Sequence, residues 1–339
     1  MSATIHGRII SSAFRPHPLL RGAHAQTMFG LLRPTPVVHL RRERLELADG
    51  DFLDLAHFGS GRGPRVLLIH GLTGSFASKY LSGTARQLIA RGMRGTMMQL
   101  RGAGPEPNRL PQQYHQGATG DVRWVVELLA RREPDGLLAA IGWSLGANLL
   151  LKYLGEDGCA TPLAAACAVS APFDLEVCAE HLRTGVARIY QRALLDGLKA
   201  GWKRKAATIA TPIPLEKVLA VPDLVGLDDV LVAPLHGFRD AHDYYQRCSC
   251  AQFLSAIARP TLILHAADDP FMLPRIIPRA EQLAPCVTLE LSPTGGHVGF
   301  VAADRLGRPV FWSESRIAEF LHQQLVAQPV DRVSAPRCA

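Results

Sequence analysis

Short, continuous apolar runs that alternate with amphipathic segments dominate the chain from Arg65 onward. The apolar runs include RVLLIHG, GTMMQLRG, LLAAIGW, LAAACAVSAP, PTLILHAADDP and VTLELSPTGGH, and helix-like segments such as YLSGTARQLIARG and DVRWVVELLARR lie between them. Strands that are apolar without interruption are buried on both faces, and strands that alternate with helices run parallel. The sequence therefore predicts an α/β fold with one doubly wound, mostly parallel sheet and helices on both of its faces.

The alternation stops in the second half of the chain and then resumes, which indicates an insertion into a single sheet. Residues 172–256 contain amphipathic segments and no strand of comparable quality, so we expect a mostly helical cap over the carboxyl ends of the strands. The core then comprises residues 36–171 and 257–327. A proline-rich N-terminal arm at 1–35 precedes it, and a loose C-terminal tail at 328–339 follows it.

An Asp-Gly pair lies near the start of the core, in the segment RERLELADGDFLDLAHFG. Alternating residues flank Asp49 and Gly50 on both sides, a pattern typical of two strands joined by a tight turn. We therefore expect an antiparallel hairpin before the parallel strands begin.

The composition disfavours several classes of partner. The 339 residues carry a formal net charge of +7, but the arginines are scattered and form no basic run of the kind that binds nucleic acid. No apolar stretch reaches the roughly 18 residues of a membrane span, and the N-terminus lacks a signal-peptide pattern. We expect a cytoplasmic protein with no nucleic-acid partner and no integral membrane segment.

The seven cysteines do not have the spacing of a metal or redox site. Cys248 and Cys250 are close together, but the one residue between them does not match the C-x-x-C spacing of zinc and redox motifs. We expect reduced thiols, no metal ion and no organic cofactor.

The pentapeptide Gly142-Trp143-Ser144-Leu145-Gly146 matches G-x-S-x-G between a strand-like and a helix-like segment. In this context the serine lies on a sharp, strained turn, and glycines flank it because side chains at their positions would collide with neighbouring turns. The pattern predicts that Ser144 is a nucleophile. The alternative is a strand-to-helix turn that merely contains a serine.

A serine hydroxyl needs a base, and the base needs a carboxylate to orient it. His297 lies in the segment GGHVG directly after VTLELSP, so we expect it to be the base, with an ordinary surface histidine as the alternative. The carboxylate should follow the strand PTLILHA, where Asp268 and Asp269 are adjacent. Counting from the end of that strand favours Asp269, and Asp268 could instead accept a turn hydrogen bond.

The oxyanion formed in acyl transfer requires backbone N–H donors. Leu145, directly after the nucleophile, should supply one, and Leu72 in the loop HGLTG should supply the second. We expect His70, Gly71 and Trp143 to shape the substrate-binding site beside these donors. Trp202 and the leucines of the cap segments suggest an acyl-binding cavity, although amphipathic helices more often pack on a neighbour.

With these motifs the chain resembles one branch of the α/β-hydrolases, the YheT-like esterases related to the mammalian ABHD1/ABHD3 group. The resemblance spans nearly the whole chain. The segments that carry it are GAHAQTMFG (22–30), HGLTGS (70–75), RGAGPEPNRLPQQYHQGATGD (101–121), GWSLGANLLLKYLGE (142–156), DYY (243–245), HAADDPF (265–271) and GGHVGF (295–300).

The resemblance implies an α/β-hydrolase fold and an esterase that acts on short-chain esters or monoacylglycerol-like lipids. It places the triad on Ser144, Asp269 and His297. Two positions depart from the pattern of the branch: Ala147 replaces a second glycine after the elbow, and Ala103 replaces a cysteine or serine after an Arg-Gly turn. We expect Ala147 to alter helix packing and not the mechanism.

Four other functions remain open from the sequence. An acyltransferase, a thioesterase or a peptidase would use the same residues, and fold alone does not choose between them. The H-x-x-x-x-D signature of some acyltransferases is not matched, since five residues separate His115 from Asp121. A non-catalytic binding module would be expected to have lost a triad residue or an elbow glycine, and all are present. The oligomeric state stays open.

Overall fold

The computed structural model describes residues 6–327 and contains a central nine-stranded sheet. The strands of the described chain are β1 (Arg8–Ser11), β2 (Arg41–Glu46), β3 (Phe52–Phe58), β4 (Arg65–Ile69), β5 (Arg94–Met98), β6 (Leu138–Trp143), β7 (Ala165–Val169), β8 (Thr261–Ala266), β9 (Val287–Ser292), β10 (Val301–Ala303) and β11 (Pro309–Phe311). The order in the sheet is β1-β9-β8-β7-β6-β4-β5-β3-β2, and β10 pairs with β11 separately. Following this order, each neighbouring pair between β1 at one edge and β5 is parallel. Strand β3 is antiparallel to both of its neighbours, β5 and β2. The predicted fold class is confirmed, as is the predicted hairpin.

Helices cover both faces of the sheet and form the insertion. Their bounds are α1 (Ala23–Leu32), α2 (Lys79–Ile89), α3 (Thr119–Arg132), α4 (Leu145–Asp157), α5 (Leu175–Leu182), α6 (Ala187–Ala206), α7 (Leu215–Ala220), α8 (Leu224–Leu227), α9 (Ala233–His236), α10 (Ala241–Cys248) and α11 (Trp312–Leu325). Short 3₁₀ segments span Gly158–Ala160, Cys250–Ala256, Pro274–Ile276 and Ala280–Gln282, and a π-helical turn spans Asp228–Val232.

The alternation of side chains along each strand divides the core into two layers. In β4, Leu67 and Ile69 pack with α3 and α4, while Val66 and Leu68 point to the other face and pack with α2 and α11. All four side chains are fully buried. A strand covered on both faces needs apolar residues at every position, which explains the continuous apolar runs of the sequence.

The chain between β7 and β8 is helical wherever it forms regular structure, as the amphipathic pattern predicts. Aspartates begin three of these helices: Asp174 accepts a hydrogen bond from an N–H of α5, Asp223 from α8 and Asp240 from α10. Such side chains satisfy N–H groups that have no partner within the helix. The boundaries of the cap at residues 172 and 256 stay predictions.

The N-terminal arm contributes to the sheet, which the sequence analysis did not anticipate. Strand β1 pairs in parallel with β9 at the edge, with Ile9 opposite Leu289. The sequence pattern of this strand was weak because β1 has only four residues, all of them exposed, and therefore no buried apolar run. The hairpin of β10 and β11 was also not anticipated. The predicted tail at 328–339 lies outside the described residues.

No helix within residues 6–327 has the length and apolar character needed to cross a membrane. The thiols of five cysteines are free, namely Cys167, Cys178, Cys248, Cys250 and Cys286. The cytoplasmic location stays a prediction.

Candidate active site

Ser144 lies between the end of β6 and the start of α4, with a strained backbone at φ 52° and ψ −118°. The flanking glycines make this turn possible. A Cβ atom on Gly142 would lie 2.2 Å from the carbonyl oxygen of Gly146, and one on Gly146 would lie 2.3 Å from the carbonyl oxygen of Ile69. Both contacts are with backbone atoms that cannot rotate away. The sequence therefore folds locally into the predicted strand-turn-helix elbow.

A chain of hydrogen bonds joins Ser144 to two other predicted residues. The Nε2 atom of His297 lies 3.0 Å from the Oγ atom of Ser144, and its Nδ1 atom lies 2.8 Å from the Oδ2 atom of Asp269. The carboxylate of Asp269 accepts a hydrogen bond from the N–H at Nδ1, which leaves Nε2 free to accept one from the serine hydroxyl. Asp269 is buried, with 3% of its surface exposed.

Asp268 has a different set of partners. Its Oδ1 atom accepts a hydrogen bond of 2.9 Å from the backbone N–H of Gly296. Burial raises the pKa of Asp268 above its usual value. Asp268 thus fastens the loop that carries His297, whereas Asp269 contacts the imidazole ring itself.

Helix α1 of the arm holds the same loop from the other side. The backbone N–H of His297 donates to the Oγ1 atom of Thr27 at 2.9 Å, and the Thr27 hydroxyl donates to the carbonyl oxygen of Ala23 at 2.8 Å. The fully buried Gln26 accepts from the N–H of Val301 at 2.6 Å and donates to its carbonyl oxygen at 3.0 Å. The sequence analysis missed these contacts, although it singled out the segment GAHAQTMFG that contains both residues.

Gly296 explains why the loop contains consecutive glycines. Its φ is +60°, and a Cβ atom there would lie 2.5 Å from the carbonyl oxygen of Ala23. The loop thus approaches α1 more closely than any other residue type would allow.

Aromatic contacts link the histidine ring to the cap. The rings of His297 and Phe271 stack with centroids 4.0 Å apart at an angle of 8°, and Phe271 lies 4.8 Å from Tyr190 on α6. The Tyr190 hydroxyl is 2.7 Å from the Nδ1 atom of His24 on α1. The arm, the cap and the histidine loop are therefore in direct contact beside Ser144.

The loop after β4 places Gly71 and Leu72 next to Ser144. A Cβ atom on Gly71 would lie 3.1 Å from the Cβ atom of Ser144. Two tyrosine hydroxyls hold this loop: Tyr80 accepts from the N–H of Gly71 and Tyr114 accepts from the N–H of Thr73, both at 2.9 Å.

His70 lies behind this loop and does not belong to the cavity wall that residues 6–327 form. Its Nδ1 atom lies 2.8 Å from the carbonyl oxygen of Gly71, and its Nε2 atom accepts from the N–H of Leu100 at 3.1 Å. Burial lowers the pKa of His70 to about 4, so the ring is neutral near pH 7. The ring of His70 therefore lies inside the core, and its expected role in shaping the site acts through the loop and not through contact with substrate.

A cavity of about 560 Å³ opens above Ser144 between the sheet and the cap. Gly71, Leu72, Trp143, Leu145 and His297 line its floor together with Ser144. Its cap wall is largely apolar and includes Leu175, Leu182, Leu194, Leu198, Leu224, Leu227 and Leu231.

Trp202 does not line this cavity, contrary to the suggestion from the sequence. It is fully buried among Leu195, Val218 and other residues of the cap core. The side chain therefore stabilises the cap by packing within the cap's own hydrophobic core.

Comparisons with known proteins agree with this architecture. The model of the alpha/beta hydrolase fold family matches residues 64–304. The chain is 42% identical to YheT of Escherichia coli over 94% of this chain and 95% of that protein. It is 29% identical to phospholipase ABHD3 of Mus musculus over 87% of this chain and 75% of that protein.

A solved structure shows the same fold at low sequence identity. An esterase of Pyrococcus furiosus superposes with a TM-score of 0.56 and 16% identity, covering 95% of this chain and 98% of that one. The resemblance predicted from the motifs is confirmed by the identity to YheT and by the family match. The chain belongs to the α/β-hydrolase family, in the branch that contains YheT.

Proposed function

We propose that the protein hydrolyses carboxylic esters through an acyl-enzyme on Ser144. The observation that carries the proposal is the unbroken hydrogen-bond chain from Ser144 through His297 to Asp269 at the floor of an apolar cavity. A nucleophile, a base and a group that orients the base lie within hydrogen-bonding distance of one another, which is the arrangement that activates a serine.

The reaction follows from this geometry. The Oγ atom of Ser144 attacks the ester carbonyl while the Nε2 atom of His297 takes its proton. The imidazolium, stabilised by Asp269, then protonates the departing alcohol as the C–O bond of the ester breaks. Water attacks the acyl-enzyme with the same base, and the carboxylic acid leaves as Ser144 regains its proton.

Backbone amides of Leu72 and Leu145 are our candidates for the oxyanion hole. Both residues line the cavity floor beside Ser144, and Leu145 is the first residue of α4. Within residues 6–327 neither of these two N–H groups donates a hydrogen bond to a backbone carbonyl. Free donors at the start of a helix suit a developing negative charge.

The apolar cavity favours an ester with an acyl chain as substrate. Lipid esters are candidate substrates because one relative is named a phospholipase. Short-chain esters and monoacylglycerol-like lipids are candidates as well, since the cavity is lined mainly by apolar side chains. A thioesterase or an acyltransferase would use the same residues, and the identity of the substrate and of the acyl acceptor in the assay distinguishes these reactions.

The first test measures release of p-nitrophenol from esters of increasing acyl length. We expect turnover by the wild type and a loss of several orders of magnitude in Ser144→Ala and His297→Ala. His242→Ala is the matched control, because His242 is exposed on α10 and pairs with Glu176. The proposal would be overturned if the wild type and all three variants were equally inactive and a fluorophosphonate did not label Ser144.

A further inference from the structure

A carboxyl group interrupts the apolar wall of the cavity. Asp228 lines the cavity between Leu224, Leu227 and Leu231, and it is the first residue of the π-helical turn Asp228–Val232. Short π-helical turns are rare and frequently occur at functional sites. A carboxyl group placed among leucines loses hydration that such neighbours do not replace.

The recorded partner of this carboxyl is the hydroxyl of Tyr245, which donates to its Oδ2 atom at 2.6 Å. No ion pair with a cation is recorded for Asp228 within residues 6–327. Burial raises the pKa of Asp228 to about 7. Asp228 thus lines the cavity, and within residues 6–327 its Oδ1 atom accepts no hydrogen bond from a protein donor.

Tyr244 of the cap and Gln116 of the loop before α3, which also line the cavity, have unused hydrogen-bonding capacity. The hydroxyl of Tyr244 accepts from the backbone N–H of Gln116 at 2.9 Å, which leaves its own proton available. The Oε1 atom of Gln116 is buried and has no hydrogen-bond partner in the described part of the chain. Both residues line the cavity, and the ring of Tyr244 lies 5.3 Å from that of Tyr245.

We infer that Asp228, together with Tyr244 and Gln116, forms a polar subsite that binds a hydroxyl group of the ester substrate. A hydroxyl both donates and accepts, so it can donate to a carboxyl or amide oxygen while it accepts from the Tyr244 hydroxyl. The hydroxyl belongs either to the alcohol part of the ester, as in a glycerol ester, or to the far end of the acyl chain. This inference rests on the proposed ester hydrolysis at Ser144.

A purely structural role for the carboxyl predicts a different behaviour. The bond from Tyr245 to Asp228 also connects α10 to the π-helical turn, and its loss could loosen the cap. The neighbouring Asp229 already makes such a connection from an exposed position, where it accepts from the N–H of Ala241 at 3.1 Å. A structural role would lower the activity on all esters alike, whereas a subsite changes the preference among them.

The experiment compares three esters with one acyl chain length in the full protein. The first is a 1-monoacylglycerol, the second an ω-hydroxyacyl methyl ester and the third the plain acyl methyl ester. The main variant is Asp228→Leu combined with Tyr245→Phe, which removes the carboxyl without leaving an unpaired hydroxyl. Asp228→Asn is measured beside it, since it keeps an acceptor for Tyr245 and preserves the fold. Asp229→Asn is the matched control.

We expect the ratio of kcat/KM for one hydroxyl-bearing ester over the plain ester to fall about 10-fold or more in the double variant. The ratio should fall less in Asp228→Asn and stay unchanged in Asp229→Asn. The ester that loses its preference identifies the source of the hydroxyl.

An unchanged ratio for both hydroxyl-bearing esters in both Asp228 variants would overturn the subsite and leave ester hydrolysis standing. If the wild type cleaves none of the three esters and a fluorophosphonate does not label Ser144, ester hydrolysis fails and the subsite fails with it.

Discussion

The hydrogen bond from the N–H of His297 to Thr27 predicts that the arm positions the histidine. The replacement Thr27→Val keeps the shape of the side chain and removes the hydroxyl, so the N–H of His297 loses its acceptor. The hydrogen bond from the hydroxyl to Ala23 is lost as well. Thr27 is a positioning residue in this interpretation, since it acts on the ester only through His297.

The magnitude follows from the cost of the unpaired group. A fully buried N–H without an acceptor costs about 1 to 3 kcal/mol, and the lower end applies here because the bond from His297 to Thr27 is only partly buried. About 1.4 kcal/mol corresponds to a tenfold change in rate, so a loss of about 1 kcal/mol in the positioning of the imidazole ring lowers kcat by about 5-fold. KM should change little, because the acyl cavity is lined mainly by the cap leucines.

The assay measures kcat and KM for a p-nitrophenyl ester in wild type, Thr27→Val and Thr27→Ser. Serine keeps the hydroxyl, so Thr27→Ser should remain close to the wild type. Circular dichroism verifies that all three proteins are folded. An unchanged kcat in Thr27→Val, or an equal loss in Thr27→Ser, would refute the reasoning.

Three further predictions concern single positions. Gly146→Ala should abolish activity and lower the thermal midpoint, because its Cβ would lie 2.3 Å from a backbone oxygen, while the control Gly120→Ala, which meets nothing within 4 Å, should not. Asp269→Asn should lower kcat by about 10⁴-fold, whereas Asp268→Asn, which keeps an acceptor for the loop, should lower it far less. The contribution of Asp228 to the free energy of unfolding should fall as the pH rises from about 4, the pKa of an unfolded aspartate, to the pKa of about 7 for Asp228 in the folded protein. Urea denaturation should therefore show that Asp228→Asn gains stability relative to the wild type between pH 5 and pH 8, and an equal difference at both pH values would contradict the prediction.

Local patterns explain why the strands and the elbow could be predicted from the sequence. A strand buried on both faces must be apolar at every position, so β4 and β6 are visible as continuous runs. The strained turn at Ser144 has room only for glycine at positions 142 and 146, so the G-x-S-x-G motif predicts this turn. The order of the loops along the chain similarly led to Asp269 and His297.

The directions in which two side chains point show what a local sequence pattern does not contain. His70 follows directly after β4 and Trp202 lies on an amphipathic helix, yet both side chains point into protein and not into the cavity. Their direction depends on which neighbours pack against them. Those neighbours, such as Leu100 for His70, are distant in the sequence.

The sequence by itself determined the parallel strands from β4 to β9 and the strained turn at Ser144. These features depend on the period of apolar residues and on backbone conformations that few residue types can adopt. The tertiary structure alone decided that the arm fastens the loop of His297 through Thr27 and Gln26, and that Asp228 faces the cavity. Such contacts join segments more than 200 residues apart or depend on how the cap closes over the sheet, and no local period records them.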